Sequence, residues 1–236
     1  MALPKIGYSI FELTLPSTRE IIKYRPFLVK EEKILLTSQS SGEAADIINA
    51  VKQVINNCII TEKVSVEDLT TFDLEYLFIK IRAKSVNNII NLTYRDLEDD
   101  LKYKVDIDLD QVEIKEDPAH SNKFDIGNGY GLVMKYPRAD LTNSLKFVEG
   151  EMDAFFEVLK ASIDSVYDKD TVFKLADSTP QEVDEFVQSL DTKAFKKIQD
   201  FFATMPKLYY EVKYKNSLGN EKVIPLTSLN DFFTLG

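Results

Sequence analysis

A single cysteine, Cys58, a single histidine, His120, and no tryptophan occur in 236 residues. One thiol excludes an intramolecular disulfide and with it the disulfide-stapled scaffold of small secreted domains. One cysteine and one histidine cannot build a Cys/His zinc site, and no segment has the acidic and glycine spacing of a calcium loop. A triad needing an imidazole would have to use His120, which lies in the polar run Asp117-Pro118-Ala119-His120-Ser121-Asn122 and reads as a solvated loop residue. Long apolar runs are missing as well. None approaches the ~20 residues of a membrane-spanning helix, and Pro4, Lys5 and Gly7 interrupt the amino terminus before any signal-peptide core. Basic residues are in deficit, 29 against 39 acidic, for a net charge of −10. The average field therefore repels phosphate backbones and anionic membranes, and no run of Lys and Arg interleaved with aromatics offsets it. Neither nucleic acid nor membrane is an expected partner, and the cytoplasm is the expected compartment.

What is present is an ordinary globular balance, 44% hydrophobic and 29% charged, with length enough for a sizeable core. Alternation from Tyr8 to Leu15, the turn chemistry of Pro16-Ser17-Thr18 and renewed alternation through Tyr24 predict an amino-terminal β-hairpin. Pro26 ends it, and Val29 to Leu36 predicts a short helix. Ile47, Ile48, Val51, Val54, Ile55, Cys58 and Ile59 mark one face of a longer helix, and Leu74, Leu77, Phe78 and Ile81 mark another, with Ser65 or Asp68 as its expected cap.

The middle of the chain alternates instead. Asn88–Tyr94 and Tyr103–Leu109 predict a second hairpin continuing through Val112 and Ile114, and Gly127, Gly129 and Gly131 punctuate one more irregular strand. The helical period returns in Phe155, Phe156, Leu159, Ile163, Val166 and Tyr167, then after Thr179-Pro180, and a final hairpin is read at Leu208–Tyr214 and Lys222–Leu226. The predicted class is α+β: an amino-terminal hairpin, a helical region, central antiparallel strands, carboxyl-terminal helices and a closing hairpin. Three segments follow, 1–87, 88–143 and 144–236, as separate parts or as one compact domain.

Chemistry is harder to find. Asp106, Asp108 and Asp110 project from one face of a strand, more often the wet face of a sheet than a cation site. Gly127-Asn128-Gly129 is not followed by a helix and no GK[ST] occurs, so a phosphate cradle is not expected. No catalytic, cofactor or metal residue is assigned. Aromatics are plentiful: 15 Phe and 11 Tyr, with doublets at 155–156, 201–202, 209–210 and 232–233. Adjacent aromatics on a helix cannot both face one flat neighbour, which leaves some for a partner. Arg25, Phe27 and Lys30 are residue types of interfaces, and with Phe232 and Phe233 they form the expected partner-binding set; the alternative for 24–32 is a hairpin-to-helix junction.

Phe11-Glu12-Leu13-Thr14-Leu15-Pro16-Ser17-Thr18 and Tyr24-Arg25-Pro26-Phe27-Leu28-Val29-Lys30-Glu31-Glu32-Lys33-Ile34-Leu35-Leu36 resemble the amino-terminal signature of the T4-type phage baseplate hub protein family. The resemblance continues through Val51–Ile59, Phe72–Phe78 and Ile81–Val86, and more loosely to Leu226–Phe233. It implies a hub component or hub assembly factor acting by protein binding without turnover. Its implied partners are other hub or tape-measure proteins, or a second copy of the chain. Its implied locations are the host cytoplasm during assembly and the tail baseplate of the virion. Relatives with cysteine pairs in their hairpin turns imply a metal staple, but Arg95–Leu101 and Asn216–Asn220 hold no cysteine, so none is expected. The competing class, a carboxylate-dependent tail-associated cell-wall hydrolase, rests on the abundance of acids and the phage setting.

Overall fold

The computed structural model describes residues 7–41, 44–141 and 152–233. The chain divides into two compact units, Met1–Lys115 with Lys207–Gly236, and Glu116–Pro206. The first opens with the expected hairpin: β1 (Phe11–Thr14) pairs antiparallel with β2 (Ile21–Tyr24), Phe11 opposite Tyr24 and Leu13 opposite Ile22. Strand alternation turns these four inward and leaves Glu12, Thr14, Ile21 and Lys23 exposed. Three helices follow, α1 (Val29–Ser41), α2 (Ala44–Cys58) and α3 (Thr71–Ser85). The hairpin turn is tied to α3, because both the N–H and the hydroxyl of Ser17 donate to the Asp73 carboxylate. α2 buries Val51, Val54, Ile55 and Cys58 along the predicted face, whereas α3 is buried on nearly every side between Phe72 and Ile81, as a central helix must be. The cap of α3 is Thr70, whose hydroxyl accepts from the Asp73 N–H at 3.2 Å. Ser65 and Asp68 are displaced from that role because 66–68 form a separate 3-10 turn.

β3 (Ile89–Arg95) and β4 (Lys102–Asp108) make the second hairpin. It does not continue through Val112 and Ile114. A 3-10 turn at Leu109–Gln111 redirects the chain, and β5 (Glu113–Lys115) leaves β4 to pair elsewhere. The turn is fixed from α3, where the Lys80 ammonium donates to the carbonyls of Leu109 and Asp110 at 3.2 and 2.7 Å.

The second unit holds β6 (Lys123–Gly127), β7 (Tyr130–Met134), α4 (Met152–Ser162), β8 (Ile163–Tyr167), β9 (Val172–Lys174), α5 (Pro180–Ser189) and α6 (Thr192–Thr204). Its strands form an antiparallel sheet in the order β6-β7-β8-β9. The glycine-rich stretch is therefore a hairpin and not a single strand: Gly127, Asn128 and Gly129 take φ of 93, 54 and 83°, a region that Gly and Asn tolerate. The helical period read through Ile163, Val166 and Tyr167 stops at Ser162, and those three residues are strand. α4 runs into β8 without Gly or Pro, so spacing alone could not separate helix from strand there. α5 begins on the expected Thr179, which forms a capping box with Glu182. Leu132, Met134, Leu159, Ile163, Ile198 and Phe201 make the core. Phe155, Phe156, Phe195, Phe201 and Phe202 pack on one another with ring centroids 5.3 to 5.9 Å apart, so two of the doublets find their partners inside this unit.

His120 is not a solvated loop residue. Its Nδ1 is 2.9 Å from Thr204 Oγ1, and its ring lies against Tyr136 and Phe201, with centroids 5.6 and 5.1 Å away. Burial pushes its pKa below the ordinary histidine value despite the opposing charges of Asp117 and Glu116. The polar neighbours in sequence hid aromatic neighbours that arrive from α6 and the end of β7.

The chain then returns to the first unit as β10 (Lys207–Lys215), β11 (Glu221–Leu226) and α7 (Leu229–Phe233). β10 pairs with β11 on one side and β5 on the other. Leu208, Val212, Leu226 and Phe232 thereby join Ile79 of α3, Leu92 of β3 and Ile107 of β4 in one core. Helices and small antiparallel sheets alternate as an α+β fold, with hairpins near both ends of the described chain.

Candidate partner-binding surface

The expected partner residues divide between interior and surface. Arg25 follows β2 and is buried; its Nη2 donates to Glu31 Oε1 at 3.0 Å and to the Asn57 carbonyl at 2.8 Å, and its Nη1 to the Pro26 carbonyl at 2.9 Å. Glu31, in the first turn of α1, is fully enclosed and also accepts the Leu28 N–H at 2.9 Å. Burial alone would raise the Glu31 pKa, but the Arg25 hydrogen bonds and the Leu28 N–H outweigh it and hold the carboxyl below its usual range. Burial pushes the neighbouring Cys58 thiol up to about 11, which leaves it an inert core group. Lys30 stands in solvent with its ammonium 3.4 Å from Glu31. Pairing of position 25 with 31 went unread because both ends of such a pair look like surface residues in a list of charges.

Phe27 is also buried, its N–H donating to Ser85 Oγ at 2.9 Å at the end of α3. It helps line a groove of about 370 Å³ between α1, α2 and α3, to which Leu229 and Asn230 of α7 also contribute. Leu35, Ile47, Val51 and Phe78 line it, with Glu32 and Arg82 as its charged residues. Leu36 and Val86 line it while remaining 59% and 57% exposed. Among the described residues of the expected set only Phe27 lines this groove, where Leu229 and Asn230, not singled out from the sequence, meet it. Phe232 points into the core instead, and the side chain of Phe233 lies outside the described residues. Leu36 and Val86 were not anticipated; the signal for Leu36 was the Leu35-Leu36 doublet, since adjacent helical residues diverge by about 100°.

The other candidates are engaged in the fold. Asp106 accepts from Asn91, Asp108 accepts from Asn88 at 2.9 Å, and Asp110 pairs with Lys84 at 2.8 Å. Among the described residues no three His, Cys, Asp or Glu side chains gather as a metal site, and no helix is long and apolar enough to cross a membrane. The two cysteine-free turns come together: Glu98 accepts from Asn216 at 2.6 Å and Asn220 at 3.1 Å and pairs with Lys222 at 2.6 Å, while Asp99 accepts from the Ser217 N–H and hydroxyl at 3.0 and 2.7 Å. A polar clasp therefore fastens the β3–β4 turn to the β10–β11 turn. A last, half-buried group holds α7: Glu75 of α3 accepts the Leu229 N–H at 3.2 Å, and desolvation of its carboxyl, with the Asp231 carboxylate nearby, raises its pKa to about 7.

The arrangement offers an apolar groove with exposed Leu36 and Val86 along it, a geometry suited to holding another protein. The model of the T4 bacteriophage base plate protein family matches residues 8–234. No match was found among curated proteins or among solved structures. With the match running through both units and across the groove, the chain belongs to the T4 bacteriophage base plate protein family.

Proposed function

We propose that the chain is a hub component of the phage base plate, or the factor that assembles the hub, and that it acts by binding other hub or tape-measure proteins without turnover. The observation that carries this reading is the groove lined by Phe27, with Leu36 and Val86 left exposed along it. Exposed apolar side chains beside an apolar groove gain by being covered, by ~25 cal/mol for each Å² removed from water. The Arg25–Glu31 pair ties the residue after β2 to the first turn of α1, the helix that supplies Leu35 and Leu36 to the groove. In this reading Phe27 lines the surface, Arg25 holds the start of α1, Lys30 stands outside the groove lining, and Phe232 anchors the helix whose first residues line it.

The test is Leu36→Glu together with Val86→Glu, each at an exposed position where the fold tolerates charge. The double variant is expected to keep its unfolding midpoint and to lose co-purification with base plate proteins expressed alongside it. Unchanged co-purification would refute the groove as the partner site. Quantitative mass spectrometry then separates the two roles: fixed stoichiometry in mature particles marks a hub subunit, and presence only in tail intermediates marks an assembly factor that leaves. Turnover of cell-wall material by the purified chain would overturn the non-catalytic part of the reading.

A further inference from the structure

The second unit carries its own unfinished edge. Its sheet has two outer strands, and they are treated differently. β6 is blunted: its register is broken by a bulge between Asp125 and Gly127, and Lys197 of α6 donates to the Asp125 carbonyl at 2.5 Å. Among the described residues β9 has neither a bulge nor such a side-chain contact. All three of its residues are exposed, Val172 at 64% and Phe173 at 48%. Pairing places Phe173 opposite Val166 and Val166 opposite Leu132, so Phe173 extends a core row beyond the point where the core covers it. Beside it, between the sheet and α5, opens a groove of about 460 Å³. Phe173, Leu175, Val183 and Phe186 make its apolar wall, and the two charged residues lining it, Glu182 and Asp191, are both carboxylates.

We propose that β9 and this groove receive an extended, basic and apolar segment of another base plate protein, which adds as a strand to the free edge of β9. Main-chain hydrogen bonds to the edge would hold the strand, and alternate apolar side chains would enter the groove and complete the row that ends at Phe173. Its charge follows from complementarity: the lining charges are of one sign and the whole chain carries −10, so Lys or Arg flanking the apolar positions is steered toward the site and an acidic segment is repelled. A second copy of this acidic chain is disfavoured by the same field. The proposal deepens the base plate reading by naming a partner segment, but it stands on a surface separate from the Phe27 groove.

The test places the photo-cross-linker p-benzoylphenylalanine at position 173, and in a parallel protein at position 36, in full-length chain made during infection. The expected product at 173 is a cross-linked base plate protein whose joined peptide, sequenced by mass spectrometry, alternates apolar residues with Lys or Arg. Val172→Lys, at an exposed edge position, is expected to lower that yield about tenfold, whereas Val172→Glu leaves it or raises it. Equal losses for the two substitutions, an acidic joined peptide, a second copy of this chain, or no product at 173 while position 36 still cross-links would each overturn this proposal and leave the base plate reading intact. Silence at position 36 with the expected product at 173 would instead count against the Phe27 groove.

Discussion

Replacing Glu75 with Gln should stabilise the protein at pH 8 and leave it unchanged in mild acid. The carboxyl lies between α3 and α7, accepts one N–H from Leu229, and feels the Asp231 carboxylate, which itself accepts the N–H groups of Thr227 and Ser228 at 2.8 and 2.9 Å. Its pKa rises from 4.5 to about 7. Because the folded value is the higher one, the folded state holds this proton more tightly. Glu75 therefore favours folding fully below pH ~4.5, and that contribution is lost as the pH rises through about 7. At about 1.4 kcal/mol per pH unit the loss is on the order of 3 kcal/mol, an upper figure for a group that retains one hydrogen bond. Glutamine keeps the acceptor and never ionises. Urea unfolding of both proteins between pH 4 and 8.5 should give a difference near zero in acid that grows above pH 6 in favour of Glu75→Gln; contributions of His120 and other shared groups cancel in that difference. Parallel pH profiles would refute the reasoning.

Glu31→Gln should destabilise the chain by about 3 kcal/mol or more, since it strands the buried Arg25 guanidinium without its counter-charge; an unfolding midpoint that hardly moves would show the pair is dispensable. The wild-type contribution of Glu31 is present above the ordinary carboxylate pKa and fades as the pH falls toward its lower folded value. Gly131→Ala should cost about 1 to 3 kcal/mol, because a Cβ there would run into the Tyr167 ring. Tyr167→Ala in the same chain should recover part of that loss, a coupling that a double-mutant cycle measures and that independent sites would not show.

How much of this was legible in the sequence depended on the range of the interaction. The face of α2, the Thr179 cap of α5 and the turns of the first and last hairpins follow from residues within a few positions of one another, where periodicity and turn chemistry act. The strand at 163–167 was misread because its identity is set by β7 and β9, and a run beginning Ile163-Asp164-Ser165-Val166 suits either state until those neighbours are placed. The environment of His120 depends on Thr204 and Phe201, more than 80 residues away in sequence, and no local pattern encodes them. At the groove, Phe27 could be singled out by residue type, but its meeting with Leu229 and Asn230 is a product of tertiary packing.

The return of β10 to β5 sets an order of events during synthesis. The second unit has all of its strands and helices within one continuous stretch and can close once Pro206 has left the ribosome. The first unit cannot. Ile107, Leu109 and Val112 must wait for Leu208, Val212, Leu226 and Phe232, which emerge only after the whole of the second unit. A ribosome that stalls anywhere between Lys115 and Lys207 therefore leaves the first unit with part of its core surface open, and only the β10–β11 hairpin, fastened at the Glu98–Asp99 clasp, closes it.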